Sequence, residues 1–129
     1  MTPYEQQYGE NPHLQEGIDY WHLGDFTNAG ECFSAGLAAA KARDDSQASG
    51  TSALYLGLID LEKAQFEAAQ RRLQQSLHHF QTEDSAAQKA LALAGLGRVY
   101  DELSNVAEAR GVYLESLQIS VAKEAISSL

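Results

Sequence analysis

The stretch Gly17-Ile18-Asp19-Tyr20-Trp21-His22-Leu23-Gly24-Asp25-Phe26-Thr27-Asn28-Ala29, continued by Gly30-Glu31-Cys32-Phe33-Ser34-Ala35-Gly36-Leu37, decides the fold because its residue types return twice. Gly17, Gly57 and Gly97 stand 40 residues apart. Phe26, Phe66 and Val106 follow them at one fixed offset, Ala29, Ala69 and Ala109 at a second, and Phe33, Leu73 and Tyr113 at a third. Gly36-Leu37, Ser76-Leu77 and Ser116-Leu117 complete the pattern. Self-similarity at a period of this size marks a stacked repeat array.

Counted from the glycines, the units are 10–49, 50–89 and 90–129, one domain preceded by a polar tail over 1–9. Within each unit an apolar segment meets a short break, at Gly24-Asp25, Ala64-Gln65 or Ser104-Asn105, and a second apolar segment follows. The second segments place Phe26, Ala29, Phe33 and Leu37, or Phe66, Ala69, Leu73 and Leu77, at spacings of three and four, the period of a helix with one apolar face. Proline is scarce, with two residues in 129, and Ala, Leu, Gln and Glu dominate, so the chain should be all-α. Asp25, Asn105 and the weaker Gln65 are expected N-caps, Asn11-Pro12 opens the first helix, and Ser46 and Ser85 are expected caps after the polar linkers. Val121-Ala122-Lys123-Glu124-Ala125-Ile126 keeps helical composition, so the last helix should be long.

The columns resemble those of the tetratricopeptide repeat, which pairs W-x-x-L-G-x-x-Y in a first helix with A-x-x-x-F in a second. Leu96-Gly97-Arg98-Val99-Tyr100, Leu56-Gly57, Ala29 with Phe33, Ala69 with Leu73, and Ala109 with Tyr113 carry the likeness, and Leu23 to Ala29 is close to the family's inter-helix turn. His13 and Ala53 replace the family's aromatic, Glu16 its leucine and Asp60 its tyrosine, and the period is longer than the common 34. The resemblance implies an α-solenoid of three antiparallel helix-turn-helix repeats in a right-handed superhelix. It also implies a non-catalytic adaptor or assembly scaffold that takes a peptide or helical segment of a partner on its concave side. A ligand-sensing helical module for a small amphipathic molecule or signalling peptide is the alternative reading.

Composition narrows the partners. A net charge of −9, spread along the chain, favours solubility and disfavours nucleic acid and anionic lipid. No apolar run reaches the ~20 residues of a membrane helix and Met1 to Glu10 lacks a signal-peptide pattern, so a cytoplasmic protein without membrane insertion is expected. Cys32 is the single cysteine, which rules out an internal disulfide and multi-cysteine zinc motifs.

Catalytic chemistry finds no support in the motifs. Gly95-Leu96-Gly97 starts a phosphate-loop pattern, but Tyr100 stands where the third glycine is required and no strand precedes it. Adjacent His78 and His79 point about 100° apart on a helix, and His13 and His22 lie roughly 13 Å apart along one. Cys32 has no basic neighbour to lower its pKa. No catalytic residue, metal or cofactor is therefore expected.

Binding surface is a different matter. If first helices line a concave wall, that wall carries Leu14, Ile18 and Trp21, then Leu54, Tyr55, Leu58 and Leu61, then Leu91, Ala94, Arg98 and Asp101. Asp60, Glu62, Asp101 and Glu102 form an expected acidic edge beside it, suited to a partner with apolar anchors and a Lys or Arg. Tyr4 and Tyr8 of the tail are candidates to cover part of the wall. Val121, Ala125, Ile126 and Leu129 recur near helical spacing with no cover in sight, which suggests a homodimer through the C-terminal helix.

Overall fold

The computed structural model describes residues 11–81 and 85–127, with side chains as far as residue 122. Its described elements are helices: α1 Pro12–His22, α2 Phe26–Ala42, α3 Ser46–Glu62, α4 Phe66–His79, α5 Ala86–Glu102 and α6 Val106–Ser127. The all-α expectation holds, as does the long last helix of 22 residues. Consecutive helices pack on one another, and the breaks read from sequence are the turns of three hairpins.

Those turns share one closure. Gly24, Asp44, Ala64 and Ser104 take left-handed backbone, with φ of 76°, 52°, 58° and 59°. The next N–H then donates to the carbonyl five residues back: Asp25 to Tyr20 at 2.9 Å, Asp45 to Ala40 at 2.9 Å, Gln65 to Asp60 at 2.8 Å and Asn105 to Tyr100 at 2.7 Å. This is the Schellman closure of a helix C-terminus. The linker between the first two hairpins therefore has the same geometry as the turns inside them.

Capping follows the carboxylates. Asp25 accepts from the Asn28 N–H at 3.1 Å, and Asn105 holds the Glu108 N–H at 3.5 Å, whereas Gln65 caps nothing. Asp45, and not the expected Ser46, caps α3 by accepting from the Ala48 N–H at 3.1 Å. A carboxylate one residue earlier reaches the free N–H groups, and Ser46 becomes the first helical residue. Ser85 precedes α5 without capping it, since its hydroxyl donates to Gln47 Oε1 at 2.8 Å. Asn11 likewise turns aside from α1 and donates to the Gly36 carbonyl at 2.8 Å, pinning α1 to α2.

The repeating glycines set the distance between helices. A Cβ on Gly17 would meet the Phe33 ring at 2.8 Å, one on Gly57 would meet Leu73 Cγ at 2.8 Å, and one on Gly97 would run into the Tyr113 ring. Gly50, which the column reading did not single out, stands in the same relation to Phe80 at 2.7 Å. These positions let backbones approach to where only a hydrogen fits.

Two core clusters meet at α3. Leu14, Ala29, Phe33, Ala40, Ala48, Leu56 and Ile59 form the first, and Leu54, Leu58, Leu61, Leu73, Phe80, Leu96 and Val99 belong to the second. From Ala48 to Ile59 only Tyr55 escapes full burial, so α3 has no solvent face over that span. It touches α1 on one side and α5 on the other, so the first helices of the hairpins adjoin. The second helices α2 and α4 make no comparable contact, which leaves a cleft between them.

Candidate functional site

The expected apolar wall is mostly interior. Leu14, Leu54, Leu58 and Leu61 are buried in the two cores: Leu14 beside Gly36 of its own hairpin, and Leu54, Leu58 and Leu61 in a cluster with Leu73 of their own hairpin and Leu96 and Val99 of the next. Ile18, Trp21 and Tyr55 stay half-buried. Trp21 lies 5.1 Å from Phe26 and 5.6 Å from Tyr55 between ring centres, and Tyr55 stacks on Phe33 at 4.8 Å with the rings 5° from parallel. Burial raises the Tyr55 pKa. Of the third unit's contribution, Ala94 is half-buried and Leu91 exposed.

The expected acidic edge divides among three neighbours. Asp60 faces the cations of α4, and burial raises its pKa against the pull of Arg72, Lys63 and Arg71. Glu62 pairs across helices with Arg98 at 3.6 Å, an exposed ion pair of at most about 1 kcal/mol. Asp101 accepts a hydrogen bond from the Tyr113 hydroxyl at 3.1 Å, while Glu102 is exposed. The Tyr113 pKa is raised by burial first and then by Asp101. One continuous acidic strip is not what these contacts make.

The reactive side chains are quiet. Cys32 is raised in pKa by burial, Glu16 and Glu31, which disfavours the thiolate a nucleophile needs. His79 Nδ1 lies 2.8 Å from Ser46 Oγ, and burial, then His78 and Lys41, lowers its pKa. Among the described residues no three His, Cys, Asp or Glu side chains gather as a metal site requires, and no helix is long and apolar enough to cross a membrane.

Apolar exposure concentrates elsewhere, on α6. Val106, Leu114, Leu117 and Val121 share one stripe of that helix and are all exposed. Arg110 lies in the middle of the stripe and is exposed too. In the same columns Leu37 and Leu77, and Phe26 and Phe66, are half-buried. Ala125 and Ile126 fall in α6 beyond the described side chains, and Leu129 and the tail with Tyr4 and Tyr8 lie outside the described residues. Leu114 and Leu117 were missed: Leu117 is the counterpart of Leu37 and Leu77, Leu114 stands where the other units have Ser34 and Gln74, and among the described residues no helix seats either.

Compared with known proteins, the chain matches no family model, no curated protein and no solved structure.

Proposed function

We propose that the protein is a non-catalytic interaction module, a cytoplasmic adaptor or scaffold built as a tetratricopeptide-like, right-handed array of three hairpins, which binds a helical segment of a partner protein. The observation that carries this reading is the open stripe on α6. Leu117 is 59% and Val106 63% exposed, whereas their counterparts on α2 and α4 sit half-covered beside the first helix of the next hairpin. The Val106 and Leu117 columns are partly covered by a helix twice within the chain, which suits a helix in the third instance, while Leu114 and Val121 widen the apolar stripe where the other units are polar and exposed. Arg110 within the stripe favours a partner helix with an Asp or Glu opposite it.

The helix that seats the α4 face supplies the probe. A labelled peptide with the sequence of residues 86–102 is expected to bind the full chain in a fluorescence-anisotropy titration, and Leu114→Asp with Leu117→Asp to weaken it at least about tenfold, roughly the loss of one well-packed apolar contact. Both positions are exposed, so helicity by circular dichroism should be unchanged. Equal binding by the two proteins rejects the reading. Light scattering is the companion measurement: a dimer abolished by the same pair of substitutions would assign the stripe to a second copy of the chain.

A further inference from the structure

Nine Lys and Arg residues stand against eighteen Asp and Glu in this chain, and five of the nine, Lys41, Arg43, Lys63, Arg71 and Arg72, fall between positions 41 and 72. Folding does not ask for them there. The repeat counterparts of Arg71-Arg72 are Glu31-Cys32 and Gly111-Val112, and those of Lys41 are Gln81 and Val121. Hairpins close and helices pack around all of these, so the charge at Lys41, Arg71 and Arg72 is extra to the packing columns.

The three side chains line one place. With Asp60 they border a cleft of about 410 Å³ between α2 and α4, opened because the first helices adjoin while these second helices do not. A second hollow of about 240 Å³ shares Lys41 and Arg72 and has Leu37 and Leu56 in its lining. The two hollows adjoin at Lys41 and Arg72, so the cations of the first stand beside Leu37 and Leu56 of the second. Among the described residues, no ion pair within 4.0 Å engages Lys41, Arg71 or Arg72.

Asp60 decides what anion fits. A compact dianion such as phosphate, held in the cleft, would meet the Asp60 carboxylate that lines it and would leave Leu37 and Leu56 of the adjoining hollow uncovered. An extended polypeptide can span both hollows, with its carboxylates at the cations, one apolar side chain beside Leu37 and Leu56 and its backbone clear of Asp60. The geometry points to a docking site for an acidic peptide segment of a partner, which sets an apolar side chain on Leu37 and Leu56 and its Asp or Glu side chains against Lys41, Arg71 and Arg72. This surface is separate from the α6 stripe and does not depend on what that stripe binds.

The probe is a fluorescein-labelled peptide of alternating Glu, Leu and Asp, titrated by anisotropy into the full chain at low and at high salt. Binding is expected at low salt and should weaken as salt screens the rim charges. Lys41→Glu with Arg71→Glu, both at exposed positions, should weaken it about tenfold or more, and the neutral pair Lys41→Gln with Arg71→Gln less, with thermal midpoints near that of the parent chain. Leu114→Asp with Leu117→Asp should leave this affinity unchanged, which separates the two surfaces. The proposal is overturned by absence of binding at low salt, by equal affinity of parent and charge-reversed chains, or by loss of binding in the α6 variant. Displacement of the peptide by an equal concentration of inorganic phosphate would also overturn it, in favour of a compact anion.

Discussion

The second helix of the first hairpin and that of the third carry the same columns and live in different surroundings. Ala29 on α2 and Ala109 on α6 are both buried. One turn further on, the likeness ends. Phe33 is wholly buried, stacked on Tyr55 of the next hairpin, whereas its counterpart Tyr113 is 36% exposed. The difference teaches that Phe33 draws its cover from the neighbouring hairpin as well as from its own, through Tyr55.

Breaking that comparison should produce the largest effect. Phe33→Ala removes a ring that fills the space beside Gly17 and supports Tyr55, and is expected to cost about 3–5 kcal/mol in urea denaturation. Tyr113→Ala, made in the same column, should cost less, about 1–2 kcal/mol, since solvent already reaches part of the ring. Equal losses at the two positions would mean that α6 is as enclosed as α2, and the open stripe would have to be abandoned.

Hairpins and their turns were legible in the sequence because both rest on local chemistry. A turn residue in left-handed backbone, followed by a residue able to cap, recurs at Gly24-Asp25 and Ser104-Asn105, and the 40-residue period gives three units, whereas at the linker the cap was expected at Ser46, one residue after Asp45. What stayed hidden was the side of each first helix that meets a neighbour. Leu54, Leu58 and Leu61 read as an apolar wall, yet α3 has hairpins on both flanks and buries them. Periodicity reports that a face is apolar, and only the stacking tells whether another helix covers it. The cleft between α2 and α4 was hidden for the opposite reason: Lys41, Arg71 and Arg72 belong to no repeating column, so a reading built on columns passes over them.

The turns offer a sharper, smaller contrast between the first two hairpins. Gly24 and Ala64 occupy the same left-handed position, and a Cβ there strains the backbone by roughly 1–2 kcal/mol. Exchanging them should therefore act in opposite directions: Ala64→Gly is expected to stabilise by about 1 kcal/mol and Gly24→Ala to destabilise by a similar amount. Open space surrounds a Cβ at Gly24, so backbone strain is isolated from packing. The same sign of change in thermal midpoint for both variants would show that the turns are not equivalent.

The smallest effect concerns protons, and it should belong to the second hairpin alone. His79 of α4 has Ala39 and Ile119 as its counterparts, so neither α2 nor α6 titrates there. Burial, followed by the nearby His78 and Lys41, lowers its pKa below the ordinary 6.5. As pH falls, the unfolded chain takes up this proton before the folded one does, so stability is highest above pH about 6.5 and declines as pH drops from there toward the folded-state pKa. Ser46 Oγ, 2.8 Å from Nδ1, is met by either form of the ring, as hydroxyl donor to the neutral one or as acceptor from the charged one. The urea midpoint of the parent chain should fall between about pH 7.5 and 5.5, and His79→Gln should flatten that fall. Asp60 works with the other sign: burial raises its pKa, so folding favours the protonated carboxyl and acidification brings a gain from this group. A slope unchanged by His79→Gln would place the titration on another group and remove the second hairpin's distinction.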